Sequence, residues 1–113
     1  MKEAGEITLL HVIELIQDMP YEEFKSFYDG LEQQSKENLK TAQRKYEDLG
    51  REINTQIVFG QRVREILSHA EHEKIDLIVL QSHPVDLTDS TKGWETISYR
   101  VAILSRCPVM LVK

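Results

Sequence analysis

Short runs of aliphatic and β-branched residues alternate along this chain with longer stretches in which apolar residues recur every three or four positions. Ile7-Thr-Leu-Leu-His-Val-Ile13 is the first run and predicts a buried strand. Gln17-Asp-Met-Pro20 interrupts it. From Tyr21 to Leu49 the apolar positions Phe24, Phe27, Tyr28, Leu31, Leu39, Ala42, Tyr46 and Leu49 follow helical spacing. Gly30 and the polar stretch 33–38 weaken the middle, so the pattern predicts a short helix near 21–29 and a longer one over 31–49, or one continuous helix. Gly50 suits the left-handed residue that closes a helix.

Ile53 to Phe59, ending at Gly60, predicts a second strand, and Val63, Ile66, Leu67 and Ala70 a helix over 61–73. Asp76 leads an unbroken run, Leu77 to Leu80, that predicts a strand over 76–80 buried on both faces of a parallel sheet. A loop over 81–93 follows. Trp94, Ile97, Val101 and Leu104 mark a last helix, and Pro108 to Val112 a last strand. Pro108 suits a strand's first position, where a missing N–H costs little. The order β-α-β-α-β-α-β implies one domain over residues 1–113: a parallel sheet with right-handed crossovers and helices on both faces. Loops that follow such strands are where open α/β sheets place ligands.

Composition narrows the function classes. With 113 residues and 41% hydrophobic content, the chain can bury a substantial core. Its formal charge is −5, with Lys and Arg scattered rather than striped, which argues against nucleic acid and anionic membrane as partners. No apolar stretch approaches the roughly 20 residues of a membrane span. The polar, acidic start Met1-Lys-Glu-Ala-Gly-Glu predicts no secretory leader. A single cysteine, Cys107, excludes an internal disulfide and fits a reducing compartment. A soluble cytoplasmic protein is expected.

Several stretches together carry a family likeness. Leu9-Leu-His-Val-Ile13, the strand ending in Gly60, Asp76-Leu-Ile-Val-Leu80, Gln81-Ser-His83 and Ser105-Arg-Cys-Pro-Val-Met-Leu-Val112 resemble the universal stress protein family over nearly the whole chain. The resemblance implies an α/β, flavodoxin-like (adenine nucleotide alpha hydrolase-like) open parallel sheet flanked by helices, commonly dimeric through the final strand. Many members bind ATP or AMP through Gly-x-x-Gly followed, after a spacer, by Gly-Ser or Gly-Thr. Glycines let backbone N–H groups approach phosphates, and a helix N-terminus adds a favourable dipole.

Here the glycine positions fall on Gln81, Pro84 and Glu95, and only Thr96 keeps its family identity. Pro84 removes a donor, and Glu95 repels phosphate at close range. Gly93 stands out of register with the motif. A second departure lies at the start: Lys2-Glu-Ala-Gly-Glu-Ile-Thr8 resembles the end of the family's first helix, so the family's first strand, central in its sheet, is expected to be missing. In the family that strand lies between those corresponding to 7–13 and 76–80. Either these pair directly, a partner chain fills or covers the gap, or the chain is a fragment of a longer gene product. An open slot would expose backbone hydrogen-bonding groups.

Other chemistry-bearing residues carry structural readings. His11 on the first strand reads as a partly buried structural histidine. Glu65, His69, His72 and Glu73 have spacing that suits a helical metal site, but no further ligand clusters with them, and a charged outer face is the reading adopted. Cys107, beside Arg106, reads as packed and inert rather than redox-active. Ser82 and His83 are adjacent and lack an orienting carboxylate, which argues against a hydrolase. Asp86 and Asp89 fit a solvated turn, and Trp94 a core anchor. The charged residues of 32–48 read as a solvated helix face.

These readings converge on a non-enzymatic stress-response or regulatory domain acting through dimerisation and protein contacts, with no cofactor and with protein partners not identified by sequence. Val109, Met110, Leu111 and Val112 are the expected homodimer contact, an edge satisfied by antiparallel pairing across a two-fold axis. The alternative is an ATP- or AMP-binding switch, in which Gln81, Ser82, His83, Thr96 and Ile97 would contact phosphates and Val58 and Gly60 line the pocket. An ATP-hydrolysing enzyme has the least support, since no general base, metal ligand pair or phosphate-binding lysine stands out.

Overall fold

Two parallel strand pairs organise the chain, and each draws its helices around itself. The computed structural model describes residues 5–50, 52–81 and 97–112. In chain order the elements are β1 (Ile7–Glu14), α1 (Lys25–Lys45), a 3₁₀ turn (Glu47–Leu49), β2 (Ile53–Gly60), α2 (Arg62–His72), β3 (Ile78–Gln81), α3 (Ile97–Leu104) and β4 (Val109–Val112). β1 and β2 run parallel from Ile7↔Ile53 to Glu14↔Gly60. β3 and β4 do so from Ile78↔Val109 to Gln81↔Val112. The chain divides into two compact units, residues 1–61 and 62–113.

In the first unit, α1 is the crossover that parallel pairing demands. It starts at Lys25 rather than near Tyr21, because the carbonyl of Pro20 accepts from the N–H groups of Glu23 and Phe24, both at 3.1 Å, and closes a separate turn first. Gly30 does not break it. A Cβ there would meet nothing within 4 Å, so the glycine stands at an open position and costs only about 1 kcal/mol of propensity. Of the two expected arrangements, the structure shows the one continuous helix.

The buried track of α1 runs through Tyr28 and Ser35, with Phe24, Leu39 and Ala42 half-buried. Ser35 was hidden inside the polar stretch. Its hydroxyl donates to the carbonyl of Leu31 at 2.9 Å, which satisfies it in a dry place. Phe27, Leu31, Tyr46 and Leu49, read as apolar-face residues, are exposed, because the helical track through Tyr28 and Ser35 passes beside them. Gln43 Nε2 donates to the carbonyl of Ile53 at 2.7 Å and ties α1 to the start of β2. Gly50 takes the expected left-handed conformation, φ 71°.

Tyr28, with no exposed surface, is the anchor of this unit. Its hydroxyl donates to the carbonyl of Met19 at 2.6 Å and accepts from the N–H of Ile16 at 3.0 Å. The ring meets Phe27 and Phe59 edge-on and stacks with Tyr21. One side chain therefore fastens the segment after β1, which includes Asp18 at positive φ, onto the helix.

In the second unit, Val63, Ile78 and Val101 are the buried centre, surrounded by half-buried Ile66, Leu67, Ala70, Ile75, Leu80, Ile97, Cys107 and Val109. Helix α2 ends in a Schellman motif: Ile75 N–H reaches the Ala70 carbonyl at 2.9 Å and Lys74 N–H the Glu71 carbonyl at 3.4 Å. Lys74 stands at the left-handed position usually given to glycine, φ 51°. The strand predicted over 76–80 forms at 78–81, and it is not buried on both faces. Ile78 and Leu80 turn towards the core, whereas Leu77 and Val79 are exposed, Val79 to 57%. α2 and α3 cover one side of this strand pair. An unbroken aliphatic run reports what both faces tolerate, not what covers them.

Two stability measurements follow. Tyr28→Phe should cost about 1–2 kcal/mol in urea unfolding, because it removes the shared partner of Ile16 N–H and the Met19 carbonyl. Lys74→Gly should stabilise by about 0.5 kcal/mol through relief of the left-handed backbone, partly offset by unfolded-state entropy.

Candidate functional site

Parallel strands present their carboxyl ends to ligands, so the end of β2 in the first unit and, separately, the end of β3 with the start of α3 in the second are the candidate positions. Val58 and Gly60 lie at the end of β2, paired with Val12 and Glu14 and half-buried. Gly60 has φ 152°, a backbone region that side chains disfavour, and its carbonyl accepts from Leu15 N–H at 3.3 Å. Gln81 closes β3, exposed and paired with Val112. Ile97 opens α3 and packs against the core of the second unit. Gln81 and Ile97 thus belong to one unit, Val58 and Gly60 to the other. Ser82, His83, Pro84, Asp86, Asp89, Trp94, Glu95 and Thr96 lie outside the described residues.

Val58, Gly60, Gln81 and Ile97 carry no titratable side chain. They can donate and accept hydrogen bonds through backbone and one amide, which suits binding and offers no acid–base group. Tyr21 donates to Asp29 Oδ1 at 3.1 Å, and this hydrogen bond, with the neighbouring Asp29 and Glu32 charges, pushes the phenol above its ordinary range.

The other residues singled out by sequence take structural places, with one correction. His11 is exposed rather than partly buried. On α2, His72 Nδ1 lies 3.2 Å from the Ser68 carbonyl one turn back, and His69 Nε2 is buried without a hydrogen-bond partner among the described residues. Among those residues no group of three His, Cys, Asp or Glu side chains is placed to hold a metal ion. Cys107 is half-buried against the core.

Ser105 escaped the sequence reading and organises the corner between α3 and β4. Its hydroxyl donates to the Cys107 carbonyl at 2.9 Å, accepts from Cys107 N–H at 3.2 Å, and lies 3.4 Å from the thiol sulfur. The signal was there: a serine immediately after a helix's last apolar position and shortly before a proline is a turn former. Arg106 reaches away from the thiol, its Nη1 donating to Glu71 Oε1 at 3.0 Å.

The predicted association strand is split by its pleat. Val109 and Leu111 are half-buried, Val109 packing on the core, while Met110 and Val112 are exposed, Met110 to 52%. Among the described residues β4 pairs with β3 alone. No described helix is long and apolar enough to cross a membrane.

With this geometry in hand, likeness to known proteins becomes informative. The Universal stress protein family pattern matches residues 2–113. Universal stress protein YxiE of Bacillus subtilis (strain 168) is 33% identical over 76 residues, 66% of this chain and 50% of that protein. The match thus spans half the length of that curated relative. Among solved structures, hypothetical protein MJ0577 matches with a TM-score of 0.78 at 30% identity, over 100% of this chain and 78% of its own. The α/β fold with parallel strands expected from the sequence is therefore the fold shared with that structure. The chain belongs to the universal stress protein family.

Proposed function

We propose that this chain is a stress-response or regulatory domain of the cytoplasm that acts through dimerisation and contacts with other proteins, not through catalysis. The observation that carries the reading is the outer face of β4: Met110 and Val112 project exposed from a strand whose described pairing is on one side only. A second copy pairing antiparallel would satisfy that edge and bury both side chains. The substituted glycine positions, Gln81, Pro84 and Glu95, support a role without a cofactor.

The second reading is an ATP- or AMP-binding switch. It is favoured by family membership and by the placement of Gln81 at the carboxyl end of β3 and Ile97 at the start of α3 within one unit. Ser82, His83 and Thr96 would complete the phosphate contacts, with Val58 and Gly60 as pocket residues. Against it stands the loss of the glycines that allow backbone donors to approach phosphates.

Light scattering on the full chain should give a dimer at micromolar concentration, and Met110→Arg a monomer of unchanged circular dichroism; a monomeric parent chain removes the association reading. Calorimetry with ATP should give no detectable heat. The triple change Gln81→Gly, Pro84→Gly, Glu95→Gly should create measurable ATP binding, whereas micromolar binding by the unaltered chain would favour the switch.

A further inference from the structure

Between their carboxyl ends, helices α2 and α3 leave a cleft of about 470 Å³. Small-ligand pockets span roughly 300–1,000 Å³ and combine an apolar lining with a few polar groups. Here the apolar lining includes Leu67, Ala70, Ile75 and Leu104. The cleft lies at the amino ends of β3 and β4, since Ile75 precedes β3 and Cys107, also on its wall, precedes β4. Gln81 marks the opposite end of β3.

Charge decides which kind of ligand the cleft suits. The charged residues on its wall are Glu71, Lys74 and Arg106. Glu71 is already neutralised: its Oε1 accepts from Arg106 Nη1 at 3.0 Å, which fixes one arm of the guanidinium and leaves its other N–H groups available. The Lys74 side chain has no hydrogen bond or ion pair among the described residues. Nor is its ammonium needed to close α2, because the carbonyls of His69, Ala70 and Glu71 already accept from the N–H groups of Glu73, Ile75 and Lys74. Lys74 nevertheless stands at a left-handed backbone position, φ 51°, that glycine would take more easily. A residue kept where its own backbone disfavours it points to a use for its side chain. The wall thus carries one net positive charge beside an apolar surface. That repels an organic cation and matches a monoanion with an apolar body.

We propose that this cleft binds a small amphipathic carboxylate. Its alkyl or aryl body lies against Leu67, Ala70, Ile75 and Leu104, and its carboxylate is received by the Lys74 ammonium and the remaining N–H groups of Arg106. The site is separate from the β4 face and from the carboxyl ends of the strands, and it stands or falls independently of either.

Calorimetry of the full chain with octanoate tests it. Saturable one-to-one binding is expected. Octylamine, the same chain with a cationic head, should bind at least roughly tenfold more weakly, and acetate, a head without a body, should give no heat. Lys74→Gly is the discriminating variant: it should unfold at higher urea than the parent yet bind octanoate roughly tenfold or more weakly. Loss of binding with a gain in stability cannot come from a damaged fold. Leu104→Asp, at a side chain 59% exposed, should lose octanoate with circular dichroism unchanged. Labelling of Cys107 by a thiol reagent should slow as octanoate saturates the parent, and Met110→Arg should bind octanoate as the parent does. The proposal is overturned if octanoate does not saturate, if octylamine binds as tightly, or if Lys74→Gly binds as the parent does. Loss of octanoate in Met110→Arg would overturn it too, by moving the ligand to β4. Co-sedimentation with phosphatidylglycerol vesicles, without binding of monomeric octanoate, would replace it with a membrane surface.

Discussion

Parallel strand pairing is the constraint from which most of this structure follows. Two parallel strands cannot be joined by a tight turn; the chain has to travel back along the strand, and a helix is the economical way to do so. β1 and β2 therefore require α1 between them, and β3 and β4 are likewise joined through α3. A crossover helix must also lie against the sheet it spans, which fixes the inward track of Tyr28 and Ser35 on α1 and of Val101 on α3. Capping and corner devices serve the same end. Gln43 ties α1 to β2, and the Ser105 hydroxyl turns α3 into β4.

The order of elements was legible because β1, β3 and β4 are dense aliphatic runs, β2 closes on Ile57-Val-Phe59, and the helices show the three-to-four spacing. Placement on faces was less so. The sequence pattern from Leu77 to Leu80 is the same whether a strand is covered once or twice, and only the structure shows Leu77 and Val79 in the open. Ser35 illustrates the converse: a polar residue in a polar stretch is buried because a backbone carbonyl one turn back satisfies it. His11, on a strand otherwise rich in aliphatics, is exposed although its neighbours Val12 and Ile13 are both buried.

The site was legible in outline only. Sequence located the carboxyl end of β2 at Gly60 and ended β3 at Leu80, one residue short of Gln81. Ser82, His83 and Thr96 fall outside the described residues, so their role rests on the family pattern. Ser105 stood in the family stretch without its corner role being read from it, and the exposed carboxyl end of α3 carried no motif. Which side chains of the apolar run Val101-Ala-Ile-Leu104 stay uncovered depends on how α3 packs against α2 and β4, and no local pattern encodes that.

The anchoring role of Tyr28 has a kinetic consequence. Its hydroxyl and ring engage partners from residue 16 to residue 59, all inside the first unit, while the second unit gathers its own centre around Val63, Ile78 and Val101. Two separately cored pieces are candidates for cooperative opening one at a time. Amide exchange would then sort β1 and β2 into one protection class and β3 and β4 into another.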